Sequence, residues 1–170
     1  NAEILMFNSG GTGARAAFDG LSSTAFPSGV HTMPVEASEH VGPITIWRKE
    51  LRPGSGGAGK FRGGLGQVME ISPNPGFEFH FNAMFDRVTY PARGRNGGQA
   101  GAKGRVSLGD GTLLKAKGTQ QVAEGNSLVL EMPGGGGHGT PSDRDPAEIQ
   151  RDIDYGYITE ADAAELYHFT

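Results

Sequence analysis

The sequence contains no cysteine and only one tryptophan among its 170 residues. The lack of cysteine excludes a disulfide framework and a thiolate metal site, and it fits a cytoplasmic location. Positive charge is also scarce, because 15 lysines and arginines are set against 19 acidic residues and leave a net charge of −4. No apolar run approaches the roughly 20 residues that span a bilayer. Composition therefore argues against nucleic acid or a membrane as the partner.

Glycine is the residue that the sequence has in excess, with 29 copies that are clustered rather than periodic. The longest cluster, Arg52–Gly66, also carries the cations Lys60 and Arg62. A chain keeps this much glycine where φ is positive or where backbones approach closely. Successive N–H groups in such turns can also form an anion-binding nest. Two interpretations stay open: a ligand-binding loop, or an irregular turn that lets two sheets change direction.

The same cluster matches the spacing of a nucleotide-binding Walker A loop only in part. Gly54, Gly59 and Lys60 fit the pattern, but Phe61 stands where Ser or Thr would reach Mg²⁺. The glycines that follow, from Gly63 onward, would not begin the helix that a phosphate site requires. We therefore reject a nucleotide P-loop.

Alternating and β-branched segments predict strands over most of the chain. The clearest runs from Phe77 to Asp86, where every second residue is apolar. Turn signals at Asp110-Gly111 and at Glu124–Asn126 predict two hairpins. The predicted strands cover residues 3–7, 43–51, 67–71, 77–86, 105–108, 112–116, 119–123 and 127–132.

Two capping patterns predict helices close to the end of the chain. Asp145 with Glu148, followed by Pro146, marks one start, and Thr159 with Asp162 marks the other. The predicted fold is mainly β, a sandwich or barrel-like set of antiparallel sheets joined by Gly-rich loops, with two short C-terminal α-helices. The predicted parts of this single unit are an irregular segment with one N-terminal strand (1–42), a β core (43–140) and a helix pair (141–170).

Five motifs follow one another along nearly the whole chain. They are Gly10–Arg15 with Asp19, Ser55–Gly66, Asp86-Arg87 with Gly97, Gly98 and Gly101, Pro133–Gly139 with Arg144–Pro146, and Asp152–Thr159. In this order they resemble the signature of the hydantoinase B/5-oxoprolinase family, whose relatives include acetone carboxylase subunits. Pro34–Glu36 and Trp47–Glu50 look closer to N-methylhydantoinase B subunits than to 5-oxoprolinase. One departure is Ala161, at a position where the family often has glutamate.

The resemblance implies an activity that composition could not show. Members of this family open cyclic amides such as hydantoin or 5-oxoproline in an ATP-dependent complex, with a partner A-type subunit or domain that binds ATP. Their metal ligands lie in an N-terminal part that has no counterpart here. We therefore expect this chain to be the C-terminal fragment of a longer chain, without a metal site and inactive alone. Its expected partners are its own N-terminal part, the A-type subunit and a small cyclic amide. The complete complex is expected to be an oligomer that contains ATP and a divalent metal.

The resemblance also suggests which residues act. We expect the glycine loops to form one wall of a cavity, where N–H groups and arginines steady a negative phosphate or oxyanion. His138 is the candidate acid or base, and Glu36 is a second catalytic candidate. The expected substrate- or anion-binding residues are Arg15, Asp19, Glu39, Gly56, Gly57, Arg62, Gly63, Gly64, Asp86, Arg87, Gly135 and Gly136.

Other classes of function remain as alternatives. The chain could be a non-catalytic module for assembly with the A-type subunit, in which case the glycines are purely architectural. It could also belong to a related ATP-dependent ketone carboxylase. A sugar-binding sandwich is not expected, because Trp47, the only tryptophan, lies in a predicted core strand.

Overall fold

The computed structural model describes residues 3–169. Regular elements begin at residue 35 and alternate with long connections. In chain order they are α1 (Val35–Val41), β1 (Ile44–Leu51), β2 (Gln67–Pro73), β3 (Phe79–Met84), β4 (Arg105–Leu108), β5 (Lys117–Val122), β6 (Leu128–Glu131), a 3-10 turn (Pro141–Asp143), α2 (Pro146–Asp154) and α3 (Glu160–Tyr167).

The strands form two antiparallel sheets. Four strands pair in the order β1-β2-β6-β4, and β3 pairs with β5 in a separate ribbon. Val122 of β5 lies in the same core as Ile71, Leu128 and Leu130 of the larger sheet, so the two sheets pack against each other. The prediction of a mainly β fold with antiparallel sheets is confirmed.

The C-terminal helices also form where the capping patterns predict them. Thr159 and Asp162 make a complete capping box, with each side chain bonded to the other residue's N–H at 3.0 Å. Asp145 caps α2 by accepting from the N–H of Ala147 at 3.0 Å. Glu148 does not complete a box there, because its carboxylate pairs with Arg151 instead.

Several predicted strands are wrong. Residues 3–7 form no strand: their burial alternates as in a strand, and Ile4 and Met6 pack on the core, but no neighbouring strand pairs with them. Residues 112–116 form only one bridge, between Leu113 and Ser107. β5 and β6 do not form a hairpin, because the turn at Asn126 sends the chain from one sheet to the other.

Trp47 lies at an irregularity in β1 that reverses its expected burial. Ile46 pairs with Ile71 and Arg48 pairs with Glu70, so Trp47 is an extra residue without a partner. A β-bulge of this kind redirects a side chain. Its indole is 66% exposed and donates from Nε1 to Ser72 Oγ at 2.8 Å. The prediction that Trp47 lies in the core is therefore wrong.

Candidate functional site

The glycine-rich stretches meet at one place, which we call the glycine hub: residues 10–13, 56–66, 94–101 and 134–137. A Cβ added at Gly63 would collide with the backbone of Gly135, and one added at Gly11 would collide with the carbonyl of Gly64. Gly56 and Gly136 face neighbouring backbone in the same way. The stretches therefore lie against each other with no room for side chains.

Backbone proximity, rather than unusual conformation, is why these positions are glycine. Gly63, Gly64, Gly135 and Gly136 have φ angles outside the left-handed region, so an alanine would be allowed by conformation. The clash with neighbouring backbone forbids it, since the distances fall below 3.0 Å. Left-handed glycines such as Gly111 instead occupy turns with open space around them. This close packing supports the architectural interpretation of the hub glycines.

Many N–H groups of the hub are bonded within the protein. Gly57 donates to Gly135 O at 2.8 Å, Gly63 to Gly57 O at 2.9 Å, and Gly135 to Gly64 O at 2.9 Å. Gly64 donates to Thr12 O at 2.9 Å. Neighbouring chain segments take up the hydrogen bonds of these four N–H groups, so their contact with an anion stays a prediction.

Beside the hub lies a buried charge cluster of Asp19, Arg62, Arg144 and Asp152. Arg62 donates from Nε to Asp152 Oδ2 at 3.0 Å, and Arg144 donates from Nη2 to the same oxygen at 2.7 Å. Asp152 is 0% exposed, and both arginines are buried. Two positive and two negative charges therefore neutralise each other largely out of contact with water.

Each member of the cluster is held further by local contacts. The Arg62 guanidinium donates to Gly63 O at 2.7 Å and lies over the ring of Tyr157, 5.2 Å from its centre. Asp19 accepts from the Arg62 N–H at 2.7 Å. In the described residues the Arg62 guanidinium has protein partners, so its binding of an anionic intermediate stays a prediction.

Burial and pairing set the pKa values of this cluster in opposite directions. Burial would raise the pKa of Asp19, but the hydrogen bonds and charge of Arg144 outweigh it and hold that pKa below its ordinary value of 3.8. Burial would likewise lower the pKa of Arg144, but the carboxylates beside it raise that pKa and keep the guanidinium protonated. Burial also raises the pKa of Tyr167, against the opposing effect of the two arginines.

A cavity of about 220 Å³ opens next to the hub, and we call it the Arg87 pocket. Its polar lining includes Asn8, Asp86, Arg87, Arg105 and Glu131. Apolar contacts come from both sheets and from the loops beside them. These lining residues are Met84, Phe85, Val88, Val106, Met132 and Pro133.

Most charges around the Arg87 pocket are paired. Lys117 Nζ lies 2.7 Å from Asp86 Oδ1, and Glu131 has Arg52 at 3.4 Å and Arg105 at 3.7 Å. Lys117 also holds the pKa of Asp86 below its ordinary value. Within residues 3–169, Arg87 has no such carboxylate partner.

The structure brings together only some of the other predicted site residues. The backbone of His138 forms an isolated β-bridge with Phe61. Its ring lies against Asn96, with 2.9 Å between His138 Nε2 and Asn96 Nδ2. Arg15 is exposed and stacks on Phe18 rather than joining Arg87. Arg15, Arg62 and Arg87 were expected in one wall of a cavity, and of these three Arg87 alone lines the Arg87 pocket.

The two candidate glutamates belong to α1, a helix that the sequence did not predict. Glu39 Oε1 accepts from the Ile46 N–H at 2.8 Å, which ties α1 to β1. Glu36 is exposed in the first turn of α1. Neither glutamate lines the Arg87 pocket, so these two residues and Arg87 do not line the same cavity.

Sequence reasoning missed Asp152 as the partner of Arg62, and it missed Arg144, which shares that carboxylate, although each of the two stands in one of the five motifs. It also missed Asn8, which carries no recognisable signal. In residues 3–169 no group of three or more His, Asp or Glu side chains is placed to hold a metal ion. None of the helices in that range is long and apolar enough to cross a membrane.

Comparison with known proteins identifies the family to which this two-sheet fold with its glycine hub belongs. Residues 2–141 match the family model described as Hydantoinase B/oxoprolinase. The chain therefore belongs to the hydantoinase B/oxoprolinase family.

Two bacterial relatives match almost the whole chain. The chain is 31% identical to the putative B subunit of a D-/L-hydantoinase from Pseudomonas sp. (strain NS671), over 95% of its own length and 28% of that protein. It is 33% identical to the beta subunit of caprolactamase from Pseudomonas jessenii, over 92% of its length and 28% of that relative. The chain thus spans less than a third of the length of these relatives.

Solved structures agree with this assignment. The ATP-dependent caprolactamase from Pseudomonas jessenii superposes with a TM-score of 0.77 at 25% identity, covering 93% of this chain and 29% of that one. Acetone carboxylase without nucleotide shares the fold, with a TM-score of 0.72 at 22% identity, covering 94% of this chain and 26% of that one.

Proposed function

We propose that this chain is a module of a hydantoinase B/oxoprolinase-type subunit, in an ATP-dependent enzyme that opens cyclic amides. The match of residues 2–141 to that family is the observation that carries the proposal. Relatives named as the B subunit of a hydantoinase and the beta subunit of a caprolactamase support a cyclic amide as substrate. Those names also support a second subunit as the partner, and we propose that this subunit binds ATP.

ATP supplies the phosphoryl group that makes an amide reactive, since resonance otherwise stabilises the amide bond. The residues described here offer no metal-ligand cluster, so we assign no metal-dependent step to them. Their part is support and binding. The closely packed glycine hub and the buried charge cluster support the Arg87 pocket and the loop that carries His138.

The test is ring opening by the complete enzyme that contains this chain, assembled with a hydantoinase A-type partner. Hydantoin, 2-pyrrolidinone or ε-caprolactam should stimulate ATP hydrolysis, and ring-opened product should appear in proportion. The Gly63→Ala variant should lose this activity, because a Cβ at position 63 prevents the glycine-rich stretches from packing together. The Gly13→Ala variant has no close neighbour at its Cβ and should keep the activity. ATP-dependent carboxylation of a ketone, without ring opening, would instead favour the carboxylase alternative.

A second candidate, an assembly module, is favoured by the apolar surface of residues 5–41. Eight large apolar side chains are exposed there, which is a typical feature of a protein interface. They are Leu5, Phe7, Phe18, Leu21, Phe26, Val30, Met33 and Val41. If assembly is the whole role, Phe26→Ser should abolish co-purification with the A-type partner, while Arg87→Gly leaves ring opening unchanged.

A further inference from the structure

Backbone hydrogen bonds hold His138 between two segments of the glycine hub. On one side, Phe61 and His138 exchange N–H to carbonyl bonds of 2.9 Å each. On the other side, Arg95 donates to Gly137 O at 2.9 Å and accepts from the Gly139 N–H at 3.0 Å. Three segments that lie far apart in sequence therefore fix the backbone of His138 and the face on which its side chain stands.

Asn96 reaches the imidazole from a tight turn that belongs to the same arrangement. The turn closes where the Gly98 N–H donates to Arg95 O at 2.9 Å. Both central residues have positive φ angles, +51° at Asn96 and +91° at Gly97. A type I′ turn requires this pattern and favours Asn, Asp or Gly followed by Gly. The backbone at position 96 would therefore accept aspartate or glycine as readily as asparagine.

The contact between the two side chains determines where the imidazole carries its proton. Asn96 Nδ2 lies 2.9 Å from His138 Nε2. An amide nitrogen only donates, so Nε2 supplies its lone pair to this hydrogen bond. In a neutral imidazole the proton is then on the other ring nitrogen, Nδ1.

The Nδ1 atom of His138 is the unoccupied end of this arrangement. It forms no hydrogen bond within residues 3–169, where the one side-chain bond of His138 is that to Asn96. The buried side-chain atoms without a partner in that range are Asn8 Oδ1 and Arg144 Nε, so Nδ1 is open to solvent or to a ligand. An N–H group held in this way donates to an oxygen but cannot remove a proton.

We propose that Asn96 is a positioning residue for His138, which it keeps as a neutral hydrogen-bond donor through Nδ1–H. The acceptor is an oxygen that gains negative charge during the reaction, which under the proposed function is the carbonyl oxygen of the amide. A donor that is already oriented stabilises such charge without reorganising at the moment of reaction. His138 then touches the substrate, and Asn96 acts through His138.

The identity of the acceptor rests on the proposed function, but the position of the proton does not. NMR of the full chain measures the tautomer without any turnover, and ring opening by the complete enzyme measures its role. If the parent enzyme opens no ring, the proposed function is wrong, and the spectrum still decides whether Asn96 holds the proton on Nδ1. If the enzyme opens rings but Nε2 carries the proton, only the role of Asn96 is wrong.

The first experiment records long-range proton–nitrogen correlation spectra of the full chain with isotope-labelled histidine, at about pH 8, where imidazoles are neutral. Protonated and unprotonated ring nitrogens resonate in separate ranges. His138 should show a protonated Nδ1 and an unprotonated Nε2, and its signals are identified by their loss in His138→Asn. His80, which is exposed on β3, is the internal control and should exchange between both tautomers.

Two variants of Asn96 test its control of the tautomer. Asn96→Gly removes the amide and should bring the His138 spectrum close to that of His80. Asn96→Asp should reverse the His138 spectrum, because a carboxylate accepts from Nε2–H and leaves Nδ1 without a proton. Both variants suit the turn and should melt close to the parent temperature.

The second experiment measures kcat and KM for ring opening by the complete enzyme. Asparagine at position 138 can place an amide N–H close to the position of Nδ1, whereas glutamine reaches the position of Nε2. His138→Asn should therefore keep kcat within about tenfold of the parent, whereas His138→Gln and His138→Ala should lose on the order of 10²-fold, as removal of one donor to a developing oxyanion does.

The Asn96 variants should follow their spectra. Asn96→Asp should lower kcat about as much as His138→Ala with KM little changed, and Asn96→Gly should lower it less. Asn82→Asp adds the same charge on the exposed side of β3 and should match the parent.

Several results would overturn the proposal. A parent spectrum with the proton on Nε2, or averaged as in His80, would do so, as would an Asn96→Asp spectrum that does not reverse. Equal losses of kcat in His138→Asn, His138→Gln and His138→Ala would show that the ring transfers a proton, and full activity in all three would show that it has no part in the reaction. The parent spectrum decides even if a variant fails to fold.

Discussion

Arg144 and Asp19 are 125 residues apart in sequence, and two parallel hydrogen bonds of 2.8 Å join their side chains. This fork-to-fork geometry is among the strong forms of charge-assisted hydrogen bond. It fastens the loop after the first glycine stretch to the residue that precedes the N-cap of α2. Asp152 then links Arg144 to Arg62, so the cluster connects three of the segments that form or border the glycine hub.

Replacing Asp152 by asparagine should destabilise the protein strongly. The change removes the negative charge that Arg62 and Arg144 share and leaves buried positive charge in excess. Breaking a buried pair in this way typically costs about 3–5 kcal/mol. Urea unfolding followed by circular dichroism measures the loss. Asp154→Asn, on the exposed side of the same helix, should change stability by less than about 0.5 kcal/mol, and equal losses in both variants would contradict the role given to the cluster.

Stability should also fall in acid through Asp19. Its pKa is lower in the folded protein than its ordinary value of 3.8, so the folded state binds the proton less readily than the unfolded state. The stabilisation from its ionised form is therefore complete above pH 3.8 and is lost as the pH falls through the depressed folded-state pKa. Urea unfolding from neutral pH down into this acid range should show the decline, and Asp19→Asn should flatten it. A pH profile that Asp19→Asn leaves unchanged would show that other groups cause it.

The sequence predicted the elements whose signals are local. β1, β2, β3 and both capped C-terminal helices follow from alternation, β-branching and capping residues within a few positions of each other. The turn at Glu124–Asn126 was found for the same reason. What the turn does not encode is the sheet to which each flanking strand belongs, and so the hairpin of β5 with β6 was wrong.

The site was predicted less well because its partners are distant in sequence. Arg62 stands in a motif that suggests a free cation, and its counter-ion Asp152 lies 90 residues further on. Glycine content likewise shows that the backbone has a special requirement, but not whether this is a left-handed φ or a neighbouring segment of chain. The contacts of Gly63 with Gly135 decide for the second.

Two glycines of the hub region should respond differently to the same substitution. Gly63→Ala places a Cβ on the backbone of Gly135 and should cost about 3 kcal/mol or more, or prevent folding, because backbone has little room to move. Gly13→Ala has its nearest neighbour, Gly136 O, at an ordinary 3.8 Å. It should lie within about 1 kcal/mol of the parent, since alanine also lowers the entropy of the unfolded chain. Thermal unfolding of the two variants compares them, and similar losses would show that conformation, not proximity, selects glycine here.

The bulge at Trp47 can be observed directly in solution, because Trp47 is the only tryptophan in the chain. An indole that is 66% exposed should emit as in water and be quenched efficiently by acrylamide. Trp47→Phe should fold with stability close to the parent, since little apolar area is lost from the core. Blue-shifted, unquenched emission would mean that β1 continues in register through position 47 and that the tryptophan enters the core. The same probe reports on assembly: if the enzyme's other parts cover this edge of the sheet, emission should shift to the blue on binding, whereas an unchanged spectrum would place the interface elsewhere, with the exposed apolar residues of 5–41 as the next surface to test.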